Sequence, residues 1–338
     1  MNVSRRNFLK LSAGSAAVLG SSAAFAKAAD EIVVPRRKFG RHDDMVSVFG
    51  VGGHTLYMSG SQKDANEIVA RAVDRGVNFF DNAWDYHDGG SEEYMGIALE
   101  GHRDKVFLMS KFCNHHGGAA GKTYTRDVKG SMKMLEDSLR RLKTDHLDLW
   151  MMHQVSHDDL TDAYRADGAI EALELAKKQG KIRYAGFTGH SDANIHRGMI
   201  EGGYEWDAIL MPISVLGAMD SRKFEETIPL CEEKNIALLG MKGFAGSRRT
   251  ELHSRTSPAE VLSYSLSYSQ VCTQLIGFDK LEYLDQAIAA SNVTPMTAEG
   301  RTQFAVNDDV HSSDFVMRQH GGKYYDSCCE YSSIDRKA

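Results

Sequence analysis

Short apolar segments alternate with amphipathic segments along most of the chain, and this alternation constrains the fold more than any other feature. Eight apolar segments have the length of buried strands: MVSVFGV, VNFFDNA, VFLMSKF, LDLWMMH, IRYAGFTG, WDAILMPIS, IALLGMKGF and CTQLIGF. Segments with helical periodicity, such as DANEIVARAVDRG and AIEALELAKKQGK, separate them. Strands that alternate with helices form parallel sheets with crossover helices. The sequence therefore predicts an α/β fold, a single (β/α)8 TIM barrel of roughly 250 residues.

The composition narrows the function by exclusion. The chain has 338 residues, of which 42% are hydrophobic and 25% charged, with a formal net charge of -6. These values are typical of a globular protein. A net negative chain without a basic patch is not typical of nucleic-acid binding. The cysteines, histidines and carboxylates lack the spacing of a metal site, so we predict no metal.

The first residues have the pattern of an export signal. The motif SRRNFLK contains the adjacent Arg5 and Arg6, and the weakly apolar segment LSAGSAAVLGSSAAFA follows it. This order is typical of a twin-arginine signal peptide, with cleavage after Ala26 or Ala28. The alternative is an unstructured basic tail. We therefore expect the twin-arginine translocation machinery to be a partner and the mature protein to be periplasmic, with no stable membrane span after processing.

Four polar residues lie at the ends of predicted strands, in the chain order Asp81, Tyr86, Lys111 and His153. In a parallel barrel the carboxyl ends of the strands meet at one rim, where catalytic residues usually lie. A free phenol has a pKa of about 10 and exchanges protons poorly at neutral pH. A neighbouring ammonium favours the phenolate, and a carboxylate keeps that ammonium charged. We expect Lys111 to tune Tyr86, Asp81 to hold Lys111, and His153 to orient a carbonyl oxygen.

Each of these residues taken singly is more typical of a helix cap or a hydrogen-bonded core residue than of a catalyst. Lys111 is the exception, since a lysine in a buried strand needs a partner or a function to offset its desolvation. The prediction of a catalytic site therefore depends on the four residues together.

These residues, in this order, resemble the catalytic tetrad of the aldo-keto reductase family. The segment RRKFGRHDDMVSVFGVGG is similar to the family's opening hairpin and first strand, and DNAWDY keeps the family's spacing from Asp to Tyr. The resemblance runs from about Arg36 to about Ser291. It implies an NAD(P)-dependent oxidoreductase that transfers a hydride between nicotinamide and an aldehyde, ketone or sugar carbonyl, with Tyr86 as general acid and base.

The resemblance and the export motif together predict the organisation of the chain. The predicted parts are a signal peptide over residues 1–28, a linker over 29–35, a barrel with an N-terminal hairpin over 36–294, and a C-terminal tail over 295–338. The tail contains the adjacent Cys328 and Cys329. This pair is predicted to be inert, with redox transfer, disulfide pairing and metal binding as alternatives.

The resemblance also implies where NADP binds, with NAD as the alternative. Thr188 and Gly189 stand where the family places Ser and Asn at the nicotinamide amide, and Met241 stands where an aromatic ring stacks on the nicotinamide. The turn in LIGFDKLEYLDQAIAA is expected to bind the adenosine phosphate at a helix start. The predicted cofactor-binding residues are Gly53, Thr188, Gly189, Met241, Lys242, Gly243, Phe244, Gly277, Phe278, Asp279, Lys280 and Gln286.

The substrate pocket is predicted from the first two loops above the tetrad. His54, Tyr57 and Trp84 are the candidate walls for a small carbonyl substrate, and packing is the alternative role for Trp84. Two other functions stay open at this point. One is a protein on the same barrel that binds or senses a nucleotide without turnover, and the other is an oxidoreductase that uses another periplasmic electron carrier.

Overall fold

A closed barrel of parallel strands forms the centre of the protein. The computed structural model describes residues 22–112, 127–190, 192–215, 221–244 and 256–306. Two short strands, β1 (Arg36–Lys38) and β2 (Met45–Ser47), form an antiparallel hairpin before the barrel. The barrel strands are β3 (Phe49–Gly52), β4 (Phe79–Asp81), β5 (Phe107–Phe112), β6 (Leu147–Met152), β7 (Ile182–Thr188), β8 (Ala208–Pro212), β9 (Ala237–Met241) and β10 (Val271–Gly277). They pair in the order β10-β3-β4-β5-β6-β7-β8-β9, which confirms the predicted (β/α)8 barrel and hairpin.

The predicted strand MVSVFGV differs in detail, because it divides into β2 and β3. The backbone N–H of Val48, between them, donates to the carbonyl of Pro35 at 2.9 Å. The Ser47 hydroxyl donates to the carbonyl of Phe49 at 2.7 Å. The chain changes its pairing partner here, from the hairpin to the barrel.

Helices follow the strands and cover the barrel. They are α1 (Ser22–Asp30), α2 (Gly53–Leu56), α3 (Gln62–Asp74), α4 (Gly90–Ala98), α5 (Val128–Arg141), α6 (Asp159–Asp162), α7 (Ala169–Lys178), α8 (Ala193–Glu201), α9 (Ser221–Glu225), α10 (Ile228–Glu233), α11 (Pro258–Ser265), α12 (Leu281–Ala290) and α13 (Ala298–Val306). Helix α3 buries Ala65, Ile68, Val69 and Ala72, the spacing of one apolar helical face. None of the helices in the described part of the chain is long and apolar enough to cross a membrane.

Side chains fill the interior of the barrel. Those facing the barrel axis include Phe79, Phe107, Met109, Leu149, Met151, Leu210, Leu239 and Cys272. Phe39 and Val46 of the hairpin region belong to the same cluster and are fully buried. The hairpin therefore covers the amino-terminal end of the barrel, and the carboxyl ends of the strands form the other rim.

Helix α1 lies across the predicted end of the signal peptide. It packs against α12, and its residue Ala29 is fully buried. Arg71 of α3 donates to the carbonyl of Ala26 at 3.3 Å and to the carboxylate of Asp30 at 2.5 Å. Residues 1–21 and 307–338 lie outside the described residues, so the predicted boundaries, the twin-arginine motif and the role of Cys328 and Cys329 stay predictions.

Candidate active site

The alternation of the strands brings the predicted tetrad to one rim. Asp81, Lys111 and His153 each follow a barrel-facing residue by two positions, the spacing that keeps a side chain on the same face of a strand. Tyr86 begins a 3-10 turn, Tyr86–Gly89, that follows β4. The three strands involved, β4, β5 and β6, are neighbours in the barrel.

Lys111 connects the members of this group. Its ammonium donates to the carboxylate of Asp81, to the carbonyl of Asn82 at 2.7 Å and to the phenol oxygen of Tyr86 at 3.5 Å. The Lys111 side chain is only 1% exposed. Burial raises the pKa of the Asp81 carboxyl, and the nearby Lys111 ammonium opposes this shift. The arrangement is a buried ion pair whose cation also contacts a phenol.

His153 also contacts Tyr86. The two rings meet edge to face with centroids 5.6 Å apart. The Nδ1 atom of His153 lies 3.0 Å from the Oδ1 atom of Asp85. Burial raises the pKa of Asp85, but attraction to His153, their hydrogen bond and the charge of Lys111 outweigh it, so the pKa is lowered overall. Asp85 is therefore an ionised partner of His153.

The turn that carries Tyr86 has an unusual backbone. His87, Asp88 and Gly89 all have positive φ, of 51°, 58° and 92°. A Cβ atom at Gly89 would lie 2.3 Å from the guanidinium carbon of Arg141, so no larger residue fits there. Arg141 in turn donates to the carbonyl of Trp84 at 2.9 Å and to the buried Glu92 at 3.0 Å. Helices α4 and α5 thus support the turn from behind.

Of the three predicted substrate residues, His54 and Tyr57 lie beside the turn that carries Tyr86, and Trp84 lies in the core. The ring of His54 meets Tyr86 edge to face at 5.2 Å, and His87 stacks on Tyr57 at 4.4 Å. These rings form a polar aromatic wall beside the phenol. Burial, followed by the charges of His87 and Lys242, lowers the pKa of His54 to about 3, so its imidazole is neutral at physiological pH.

Trp84 does not join this wall. Its side chain is 1% exposed and belongs to the core between strands and helices. Its indole N–H points to Asp137 of α5 at 3.4 Å. Trp84 stands four positions after the outward-facing Phe80, so the alternation of an extended chain places it on the outer face.

The predicted cofactor residues lie at the ends of strands on both sides of the tetrad, since β3 pairs with β4 and β7 pairs with β6. Gly53 follows β3. Thr188, Met241 and Gly277 end β7, β9 and β10, and the other predicted residues of these three segments follow directly after. Thr188 is buried and Met241 half-buried. Lys242 has a positive φ of 60°, and its charge acts on both Asp81 and His54. The tetrad and the predicted cofactor residues therefore share one rim of the barrel.

The turn after β10 has the features of an anion site. Lys280 precedes α12 directly, and its ammonium lies 5.6 Å from the ring centroid of Tyr283. A Cβ atom at Gly277 would lie 2.2 Å from the Thr55 hydroxyl, so the close approach of α2 requires glycine. Phe278 is buried against Phe49 and fixes the turn. Asp279 lies in this turn and Gln286 lies within α12, and both are half-buried.

Sequence reasoning did not single out two residues at this site, Asp85 and His190. Asp85 stands directly before Tyr86 in DNAWDY, and an acidic residue beside a predicted catalytic residue is the signal that identifies it. His190 follows Gly189 at the end of β7. Burial, then the charges of Lys242 and His153, lowers the pKa of His190 to about 3, so its imidazole is neutral at physiological pH. His190 therefore adds a neutral imidazole to the rim beside His153.

Comparison with known proteins identifies the family. The model of the aldo/keto reductase family matches residues 49–260, more than half of the chain. The chain belongs to the aldo/keto reductase family. It is therefore an oxidoreductase of that family, and the matched region contains all four predicted tetrad residues.

Relatives in the family are similar over most of their length. The oxidoreductase YqkF of Bacillus subtilis is 28% identical over 299 residues, which cover 78% of this chain and 93% of YqkF. The methylglyoxal reductase YeaE of Escherichia coli is 30% identical over 209 residues, which cover 60% of this chain and 67% of YeaE. The holo form of aldo-keto reductase AKR11C1 from Bacillus halodurans has a TM-score of 0.68 at 28% identity, with 81% of this chain and 96% of that chain covered.

Proposed function

We propose that this oxidoreductase transfers a hydride between NADP(H) and a carbonyl carbon, and that Tyr86 exchanges the proton. The observation that carries the proposal is the position of Lys111, whose buried ammonium contacts both Asp81 and the phenol oxygen of Tyr86. A cation at this distance favours the phenolate over the phenol and so makes the proton available at neutral pH. The Asp81 carboxylate keeps the cation charged and fixed in direction.

The predicted cofactor residues at the rim fit a nicotinamide nucleotide. Lys280 at the start of α12 suits a phosphate, because a cation and the backbone N–H groups of a helix start both attract anions. The buried Thr188, at the end of β7, is the residue proposed to bond the nicotinamide amide. When bound, the nucleotide supplies or accepts the hydride. We propose NADP as the cofactor, on the habit of the family, with NAD as the alternative.

The substrate carbonyl is proposed to lie between Tyr86, His153 and His54. Tyr86 gives a proton to the carbonyl oxygen as the carbon receives the hydride, and His153 orients that oxygen by a hydrogen bond. The neutral imidazole of His54 and the Tyr57–His87 stack provide polar aromatic surfaces for a small aldehyde, ketone or sugar. Since YeaE is named a methylglyoxal reductase, dicarbonyls of that type belong in the first substrate panel.

The test compares steady-state carbonyl reduction in the wild type with Tyr86→Phe and Lys111→Met. Binding of NADPH and NADH is first measured by fluorescence, so that a loss of cofactor binding is separated from a loss of chemistry. Removal of the general acid should lower kcat by about 10²- to 10⁴-fold with nucleotide binding retained. The matched control is Tyr204→Phe, which removes one hydroxyl before β8, at the opposite end of the barrel, and should leave kcat unchanged.

The outcomes separate the proposed function from its alternatives. Wild-type rates in Tyr86→Phe would contradict the role of the phenol. Nucleotide binding with no more than one turnover on the whole carbonyl panel would favour a binding or sensing protein. Turnover with a different electron donor, lost in Cys328→Ser with Cys329→Ser, would favour an oxidoreductase that uses another periplasmic carrier.

We also propose that the protein acts in the periplasm after twin-arginine export, on the basis of the SRRNFLK motif. Cleavage after Ala26 would remove the first half of α1 and its hydrogen bond to Arg71. Cell fractionation of the wild type and of Arg5→Lys with Arg6→Lys tests this proposal. Export should stop in the double variant, and equal periplasmic amounts of the two proteins would contradict it.

A further inference from the structure

Asp85 is not a member of the tetrad, and its side chain does not cap the 3-10 turn that follows it. Its carboxylate instead points to His153, with 3.0 Å between Oδ1 and Nδ1, and the Asp85 and His153 side chains are 12% and 5% exposed. A carboxylate shielded from water at this distance interacts strongly with an imidazole.

This pairing determines which nitrogen of His153 carries a proton. Carboxylate oxygens only accept hydrogen bonds when ionised, so Nδ1 must be the donor. A neutral imidazole with its proton on Nδ1 has a bare Nε2 and is unable to donate to a carbonyl oxygen. His153 therefore donates to a substrate oxygen through Nε2 only as an imidazolium, and the negative charge of Asp85 stabilises that form.

We propose that Asp85 is a positioning residue that holds His153 as an imidazolium with Nε2–H directed at the substrate oxygen. The inference rests on the proposed function, because it assigns His153 the role of orienting the carbonyl. A charged donor forms a stronger hydrogen bond than a neutral one and stabilises the developing negative charge more effectively. The consequence is a rate of carbonyl reduction that falls once rising pH removes the imidazolium proton.

The other charged and titratable groups at the rim stay constant in the comparison that tests this proposal. They are Lys111 on β5, Asp81 on β4, Tyr86 in the turn, His190 after β7, Lys242 after β9 and His54 after β3. Replacement of Asp85 by the isosteric Asn removes one negative charge and leaves these groups in place. A change in the pH dependence therefore reports the charge of Asp85.

The experiment measures kcat and KM against pH for the wild type, Asp85→Asn and the control Asp88→Asn. Asp88 is exposed, and Asn tolerates its φ of 58° as well as Asp does, so the control removes the same charge three residues away. In Asp85→Asn the fall in kcat with rising pH should begin about one pH unit lower or more. At a pH above the fall in both proteins, a displacement of one unit corresponds to a kcat roughly tenfold below that of the control.

A second measurement decides the inference independently of turnover. NMR of labelled histidine follows protonation of the His153 imidazole, assigned by its loss in His153→Gln. The imidazolium should persist to higher pH in the wild type than in Asp85→Asn, and Asp85→Ser gives the same comparison if the asparagine variant does not fold. Equal protonation curves, or equal pH profiles of kcat, would overturn the role of Asp85. A wild type that reduces no carbonyl would refute the proposed function alone, and the NMR comparison would still decide the pairing.

Discussion

The buried pair of Glu92 and Arg141 provides the most quantitative test of how the active-site turn is held. Glu92 is fully buried, and its two carboxylate oxygens accept from Ser110 at 2.6 Å and from Arg141 at 3.0 Å. Arg141 also donates to the carbonyl of Trp84, and its guanidinium lies 5.5 Å from the Trp84 ring. This network connects α4, α5 and β5 to the segment between Asp81 and Tyr86.

Glu92→Gln keeps the shape of the side chain and removes its charge. Arg141 is then left as a buried cation without a carboxylate, since its side chain is only 7% exposed. Loss of one partner from a buried pair costs about 3–5 kcal/mol. For a domain of this size each kcal/mol lowers Tm by roughly 2–4 °C. We therefore expect a Tm lower by about 6–20 °C.

The assay is thermal and urea unfolding of the wild type, Glu92→Gln and the control Glu93→Gln. Glu93 is the exposed neighbour on the same helix, and its substitution should change stability by less than about 0.5 kcal/mol. Because the network supports the turn, kcat of Glu92→Gln should also fall at temperatures where the protein is fully folded. A Glu92→Gln protein as stable as the control would refute the reasoning.

Three further predictions concern other parts of the molecule. Burial raises the pKa of Glu225 to about 7. Protonation of Glu225 therefore stabilises the folded protein fully below its ordinary pKa of 4.5, and this stabilisation is lost as pH rises through about 7. Urea unfolding should show a free energy of unfolding that rises by up to about 3 kcal/mol from pH 8 to pH 5 in the wild type and not in Glu225→Gln. Ser257→Ala removes the capping box of α11 and should cost about 1 kcal/mol in urea unfolding, while an unchanged midpoint would contradict the cap. Gly277→Ala places a Cβ atom 2.2 Å from the Thr55 hydroxyl and should weaken NADPH binding, measured by fluorescence, whereas unaltered affinity would exclude this turn from the cofactor site.

Much of the fold and the grouping of the tetrad followed from local patterns in the sequence. Alternating apolar segments set the order of the barrel strands, and the positions of Asp81, Lys111 and His153 at the ends of such segments placed them at one rim. The division of MVSVFGV into two strands was not predicted, because it depends on hydrogen bonds from Val48 and Ser47 that the local pattern does not show.

Features that depend on tertiary contacts were harder to predict. The pairing of Asp85 with His153 joins two residues that are 68 positions apart in the chain, so no local pattern shows it. The outward orientation of the Trp84 side chain could have been predicted, since Trp84 continues the series of outward-facing positions that begins at Phe80. An aromatic residue near a predicted active site suggested a substrate role, although strand alternation indicated packing.

The most direct test of the proposed chemistry follows a labelled hydride through a single turnover. The wild-type protein is loaded with NADPH that carries deuterium at the transferred position, a carbonyl compound is added, and the product alcohol is analysed by mass spectrometry. We predict that deuterium appears on the former carbonyl carbon in the wild type and that the transfer is at least about 10²-fold slower in Tyr86→Phe. A bound nucleotide that transfers no deuterium to any carbonyl, or transfer at the same rate in both proteins, would contradict the proposed function.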